Sequence, residues 1–484
     1  MKRSHRPGLL LVLVCAAAFG LPASPPDKSA KIDKLMSQYA DCCAFNGTVL
    51  VSEHDQVIFK KGYGLANREW KIPNTPDVKF RLGSITKQFT SMLVMQQVEK
   101  GTIKLDSHLS DYLPDYRKDT GSKVSIHQLL NHTSGIPSYT DDPKFFPDES
   151  RNHYSVDDFV KKFCSGDLQF EPGSKFHYDN SGYFLLGAIL EHISGKSYEA
   201  LLKEKIFDPL GMKDTGYDRS PEILPKRSSG YEVGLDEVIN APYLDMSLPY
   251  AAGSLYSTVE DLYKWDQALY SDKLVSAELK KKLFTPGLEH YAYGWNVETL
   301  PAGDPAAGQT MISHGGGING FNTVEVRLVD EHDLIVLLNN TPNADLSTMA
   351  KGIRAVLFGK EPAPPKTPLA DVLGDTIVHR GVDAGVAQYR ELKRDKPEAY
   401  EFGEGSLIRL GFQLMKANRT ADAITIFKLN VEEYPKSDGV CGVLADAYQR
   451  SGQKNLAIGT YRKCLKLNPQ NAEARSQLEA LEKK

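Results

Sequence analysis

Two kinds of hydrophobic pattern alternate along the chain. From Phe45 to Ser52 and from Val57 to Tyr63 the sequence is dense in Val, Leu, Ile and aromatic residues, and the polar break Glu53-His54-Asp55-Gln56 predicts an antiparallel hairpin. The pattern returns at Thr323 to Val329 and Leu334 to Leu338, around the turn Asp330-Glu331-His332-Asp333. Between these strands, Thr86 to Lys100, Val124 to Leu130, Gly182 to Ile193, Tyr198 to Ile206 and Val259 to Tyr270 carry helical patterns, several closed by Gly or Pro. Strands at both ends and helices inside predict an α+β domain.

The run Glu361-Pro362-Ala363-Pro364-Pro365-Lys366-Thr367-Pro368 then breaks the pattern, because proline fixes φ and removes an N–H, which favours an extended connector. Beyond it the chain reads as helices that repeat. Ala423-Ile424, Phe427 and Pro435 are matched 34 residues later by Ala457-Ile458, Tyr461 and Pro469, and Leu410 by Leu444. A weaker copy lies around Ala387, Tyr389 and Pro397, with Leu369 to Ala384 or the preceding domain as a cap. This period resembles the tetratricopeptide repeat, in which stacked helix pairs bury one another's apolar faces. The expected organisation is a signal segment 1–23, a first domain 28–360, a linker 361–368 and an all-α repeat domain 369–484.

The N-terminus supports export. Lys2, Arg3 and Arg6 precede an apolar run from Leu9 to Phe19, and Gly20-Leu21-Pro22-Ala23 supplies small residues and a helix breaker. A membrane anchor needs about 20 apolar residues, roughly twice that run. A secreted or periplasmic mature chain without a transmembrane helix is expected.

Composition narrows the picture further. With 484 residues, 41% hydrophobic and 25% charged, the chain is an ordinary globular sequence long enough for two or three domains. Its formal charge of -4 and lack of a basic block exclude nucleic acid as the expected partner. Cys15 leaves with the signal, and Cys42, Cys43, Cys164, Cys441 and Cys464 form no metal spacing, so buried free thiols are expected. No HExxH helix occurs among the 12 histidines, and neither metal nor cofactor is called for.

Chemistry concentrates at three places. In Arg81-Leu82-Gly83-Ser84-Ile85-Thr86-Lys87, serine and lysine sit three residues apart at a helix start, on one face. A serine hydroxyl attacks only when a base takes its proton, and lysine serves only when uncharged, whereas in water its pKa is ~10.4. Desolvation lowers it, and Phe89, Met92, Leu93, Val94 and Met95 make this helix apolar on nearly every side. Next, Glu171-Pro172-Gly173-Ser174 turns into an extended stretch that points Tyr178 and Asn180 the same way. Last, Met311 to His314 reads as a strand ending at Gly315-Gly316-Gly317, where missing side chains let a ligand approach the backbone.

Together, Ser84-Ile85-Thr86-Lys87, Tyr178-Asp179-Asn180 and His314-Gly315-Gly316 resemble the three motifs of the serine β-lactamase and penicillin-binding protein superfamily. The nearest branch holds class C β-lactamases, D-alanyl-D-alanine carboxypeptidases and related esterases. The resemblance runs from roughly Phe45 to Leu338 and includes Leu129 to Gly135, Tyr183 to Ile189 and Ala252-Gly253-Ser254-Leu255. It implies an antiparallel sheet flanked by helices plus an all-helical subdomain.

The resemblance also implies roles. Ser84 becomes the acylated nucleophile, Lys87 its proton partner, and Tyr178 the relay to the leaving group and to water. Asn180 orients substrate and Lys87, and His314 adds a hydrogen bond and a positive charge near Tyr178. Gly316 and Gly317 complete the substrate-binding set, with the N–H groups of Ser84 and Gly317 as oxyanion hole. His132 belongs to a structural motif of that branch. Gly315 stands where β-lactamases carry a hydroxyl residue for the substrate carboxylate, which turns the expectation toward an ester or peptide substrate. The implied activity is an acyl-enzyme serine hydrolase, with D-Ala-D-Ala carboxypeptidase or β-lactamase action as runner-up. A catalytically idle peptide-binding scaffold is the alternative of a different class. A protein partner for the repeat region is left open.

Overall fold

The two hydrophobic hairpins meet side by side in one sheet of the computed structural model, which describes residues 26–483. The expected signal segment lies outside the described residues. The first part of the chain forms helix α1 (Pro26–Cys42), strands β1 (Gly47–Glu53) and β2 (Gln56–Tyr63), and helices α2 (Thr86–Glu99) and α3 (Asn180–Ser194). A small hairpin follows, β3 (Tyr231–Val233) and β4 (Val238–Asn240), then helix α4 (Val259–Leu269). Strands β5 (Asn296–Thr299), β6 (Thr310–Ile318), β7 (Phe321–Leu328) and β8 (Asp333–Asn339) lead into helix α5 (Leu346–Leu357).

The six-stranded sheet has the order β5-β6-β7-β8-β1-β2, antiparallel throughout. Its first and last hairpins are joined by β1 against β8, with Gly47 opposite Asn339 and Ser52 opposite Leu334. Both faces are covered. Val49, Val51, Ile335 and Leu337 pack with Ile32, Leu35 and Met36 of α1 and Ile353 and Leu357 of α5. Leu50, Leu334, Val336 and Leu338 point the other way, into a cluster holding Phe89 and Met92 of α2 and Leu186 and Ile189 of α3. Two-sided burial is why these strands read as continuous apolar runs rather than alternating ones. Helix α2 is buried from Thr86 to Gln97, so its start lies inside the protein.

Residues 361–368 contain no helix, and the chain continues as helix pairs. These are α6 (Leu369–Arg380) with α7 (Val382–Asp395), α8 (Glu404–Lys416) with α9 (Thr420–Glu433), and α10 (Asp438–Arg450) with α11 (Lys454–Leu467), followed by α12 (Ala472–Glu482). Their apolar faces share a third cluster in which Leu410, Ala423, Phe427, Leu444, Ala457 and Tyr461, six positions of the 34-residue period, are buried. Leu369 to Arg380 is the first member of a pair rather than a separate cap.

One expectation is corrected. Cys164, Cys441 and Cys464 are buried free thiols, but Cys42 and Cys43 are disulfide-bonded to each other. Helix α1 ends at Cys42, so the bond is made where the helix gives out, and spacing rules for disulfide frameworks and metal sites do not register a pair of adjacent cysteines. Among the described residues no helix is long and apolar enough to cross a membrane.

Candidate active site

Ser84 sits in a 3-10 turn, Gly83–Ile85, that runs straight into α2. The turn rests on β6 backbone to backbone. A Cβ on Gly316 would lie 1.8 Å from the Leu82 carbonyl oxygen, and one on Gly83, which has φ +55°, would lie 2.9 Å from the Gly317 nitrogen. Thr323 on β7 fastens the contact by donating its hydroxyl to the Leu82 carbonyl at 2.8 Å. Strand β6 therefore does not stop at the glycines. It continues to Ile318, with Gly315, Gly316 and Gly317 opposite Val324, Thr323 and Asn322. Of the three, Gly316 has to be glycine, because the Leu82 backbone passes where its side chain would stand.

Lys87 is wholly buried. Its Nζ lies 3.0 Å from Ser84 Oγ, 2.8 Å from Asn180 Oδ1 and 3.0 Å from the Ala252 carbonyl oxygen. The last two groups accept only, so they take two N–H bonds. A neutral amine has two N–H groups and one lone pair, and the lone pair is left facing the hydroxyl, which can donate. Burial pushes the Lys87 pKa down to about 7, against the opposing pull of the Asp179 carboxylate. The rings of Tyr178 and Tyr183 flank the amine, 4.8 and 5.4 Å from Nζ to their centroids.

Asn180, the first residue of α3, is fixed by its other end: Nδ2 donates to Thr140 Oγ1 at 2.9 Å and the backbone N–H to Ser138 Oγ at 3.1 Å. Asp179 is buried and accepts from the Ser134 hydroxyl at 3.1 Å, and burial lifts its pKa to about 7. The Tyr178 hydroxyl is buried close to that of Ser84 but makes no well-formed hydrogen bond, and desolvation, opposed by Ser84, raises its pKa so that it stays protonated at neutral pH.

The two histidines are neutral. His132 Nδ1 accepts from the Asp179 N–H at 2.9 Å, its ring packs tilted against that of Tyr178 with centroids 4.3 Å apart, and burial drives its pKa well down. His314 Nδ1 is 2.6 Å from the Gly315 carbonyl oxygen, which can only accept, so Nδ1 carries the proton and Nε2 accepts from Tyr291 OH at 3.0 Å. Burial, followed by the nearby Lys87 charge, lowers its pKa to about 4. The positive charge expected from His314 is therefore absent at neutral pH.

In front of Ser84 lies a cavity of about 90 Å³, lined by Ser84, Asn180, Gly317 and Thr140 and walled by Phe145, Phe146, Leu244, Leu248, Pro249 and Ile318. No charged residue lines it. Of the expected substrate-binding residues, Asn180 and Gly317 reach this cavity. His314 and Gly316 do not line it: the first is held by Tyr291, and the second is pressed on the Leu82 carbonyl.

Comparison with known proteins decides the family, because the Beta-lactamase family matches residues 32–358. The chain belongs to the beta-lactamase family. This family member is a serine hydrolase by that membership and by its relatives. It is 30% identical over 367 residues to penicillin-binding protein 4* of Bacillus subtilis (strain 168), covering 71% of this chain and 79% of that protein. It is also 30% identical over 263 residues to the teichoic acid D-alanine hydrolase of Staphylococcus aureus, covering 54% and 62%. Among solved structures, a penicillin-binding protein from Bacillus halodurans superposes with a TM-score of 0.60 at 27% identity, covering 66% of this chain and 97% of the other. The family match ends before α6, so the helix pairs lie outside it.

Sequence reasoning on this family member missed Tyr291, Thr140, the Ala252 carbonyl and the apolar wall. The segment Ala252-Gly253-Ser254 stood out as a motif, but nothing local shows that its carbonyl meets Lys87, 165 positions away.

Proposed function

We propose that the chain is an exported serine hydrolase that cleaves esters or amides of small, uncharged acyl groups through an acyl-enzyme on Ser84. The observation that carries this reading is the Lys87 amine, held by two pure acceptors with its third position 3.0 Å from Ser84 Oγ. In the acylation step the neutral amine takes the Ser84 proton as Oγ attacks the carbonyl carbon, and the oxyanion meets the N–H groups of Ser84 and Gly317. Tyr178, kept protonated by burial, gives its proton to the leaving group and regains one from the Lys87 ammonium. Water then reverses the path: its proton passes through Tyr178 to Lys87, and Ser84 recovers a proton as the ester breaks. Asn180 holds the amine in register. His314 and Gly316 are positioning residues, the first bracing Tyr291 beside Tyr178 and the second seating the Ser84 turn.

The acyl preference follows from the cavity. Its volume is well below the ~300 Å³ at which drug-sized ligand sites begin, and its walls are apolar. With Gly315 presenting no hydroxyl and no cation at the cavity, a substrate carboxylate has no evident partner there. That favours neutral acyl donors over β-lactams and D-Ala-D-Ala peptides. The basic and apolar run at the N-terminus supports export. The helix pairs are read as tetratricopeptide-like.

The test is covalent labelling. An alkyl fluorophosphonate is expected to add one adduct, located on Ser84 by peptide mass spectrometry and absent from Ser84→Ala. A labelled wild-type peptide that does not contain Ser84 would overturn the reading. A panel of p-nitrophenyl esters, nitrocefin and a D-Ala-D-Ala peptide separates esterase action from its runner-up, which is expected to turn over more slowly.

A pH profile gives a second check. The base form of Lys87 is the neutral one, so kcat/KM for a p-nitrophenyl ester should rise ~tenfold per pH unit below about 7 and level off above it. An acid-side plateau extending below pH 5 would count against lysine as the base.

A further inference from the structure

The hairpin β3–β4 has two attachments. At its root, Gly230 packs on Gly320, where an added Cβ would lie 2.5 Å from the Gly230 Cα and 2.7 Å from the Ala241 Cβ. Gly320 belongs to the Asn319-Gly320 turn that joins β6 to β7, directly after Gly317 and Ile318 of the cavity, and Asn319 Nδ2 donates to the Pro242 carbonyl at 3.0 Å. The chain continues from Pro242 without regular structure into Leu244, Leu248 and Pro249, which wall the cavity.

At its tip the hairpin leaves the catalytic region altogether. Leu235 is buried in the apolar cluster of the C-terminal helices. Its carbonyl lies against α6, where a Cβ on Gly374 would come within 2.6 Å of it. From α8, Gln413 Nε2 donates to the Val233 and Gly234 carbonyls, each at 3.2 Å, and Lys416 pairs with Glu232. A surface built by helix pairs thus already has an occupant, a hairpin of the same chain.

We propose that the C-terminal helix array is a positioning device for the acyl cavity: it grips the tip of β3–β4, and through the root of that hairpin it holds the Asn319-Gly320 turn and the Leu244 to Pro249 wall in place. Leu235 and Gln413 are the positioning residues, and neither touches the cavity. The choice of acyl group at the cavity rests on the reading given above, whereas the mechanical link does not. The site chemistry is expected to be insulated, because Lys87 takes its contacts from Ser84, Asn180 and Ala252, none of which belongs to the hairpin.

The experiment uses full-length Leu235→Ala, Leu235→Met and Gln413→Ala with two readouts. Hydrogen exchange is expected to rise in Leu235→Ala and Gln413→Ala across peptides covering 241–249 and 317–321, and to stay at the wild-type level across 86–99. The ratio of kcat/KM for p-nitrophenyl butyrate over acetate is expected to shift about threefold or more, with the pH at which kcat/KM levels off unchanged, because the contacts of Lys87 lie off the hairpin. Leu235→Met, which conserves volume, should restore both. Faster exchange in 369–416 with none in 241–249 or 317–321 would overturn the link. A wild-type chain that turns over neither ester would overturn the reading of the cavity instead, and the exchange data would still decide the link. Gln413→Ala, which removes only a polar contact from a half-buried position, decides the matter if Leu235→Ala does not fold.

Discussion

Lys87→Met is expected to slow acylation of Ser84 by about a thousandfold, within the range that a positioned general base contributes. Methionine fills a similar volume and suits a wholly buried site, so the packing of α2 against α3 is kept while the amine proposed to take the Ser84 proton is removed. The pH dependence should change with it, the rise through about pH 7 disappearing from the residual activity. Stability should move the other way. A lysine whose pKa falls from 10.5 to about 7 on folding is disfavoured in its charged form, so the unfolded chain binds more protons and the fold is penalised below pH 10.5. The penalty is complete below about pH 7 and fades between 7 and 10.5. At pH 7 the variant should therefore melt higher than wild type, and the difference should shrink toward pH 10. Loss of activity together with a raised Tm is the signature of a site that stores strain for function. A variant that acylates within tenfold of wild type would remove Lys87 from the mechanism.

Gly316→Ala is the second large effect. The added methyl would lie 1.8 Å from the Leu82 carbonyl oxygen and 2.5 Å from Thr323 Oγ1, and the nearer of these is backbone that cannot swing aside. Strand β6 and the Ser84 turn must separate. A displacement near 1 Å at a reacting group costs about a hundredfold in rate, and forced overpacking costs about 1–3 kcal/mol in stability. The paired control is Gly317→Ala, where an added Cβ meets nothing within 4 Å. Its Tm should equal that of wild type, whereas the Tm of Gly316→Ala falls. Equal melting temperatures for the two variants would show that the contact between β6 and the Ser84 turn is not a tight one.

Much of this architecture can be read from the chain because the physical causes are local. Strands β1, β7 and β8 announce themselves by apolar runs that two covered faces require. The helix pairs show through their 34-residue period, since each repeat must bury the same positions. The serine and lysine are legible as one turn of helix. What is not legible is whatever depends on chain brought from far away. Nothing near His314 indicates that it will be sealed behind Tyr291, and that burial removes the charge expected of it. The glycine run looks like the end of a strand until β7 is laid beside it. Leu235 sits in a polar stretch, and only the folded chain shows it inserted among α6 to α8.

The pairing of β1 with β8 has a consequence for biosynthesis. The N-terminal hairpin is complete as soon as residue 63 is made, but the partner of β1 is not present until the ribosome has passed residue 339. Through that interval β1 presents unsatisfied peptide groups and apolar side chains to whatever surrounds the nascent chain. If the chain is exported as proposed, it gains from this delay, since it stays threadable until its last strand has been delivered.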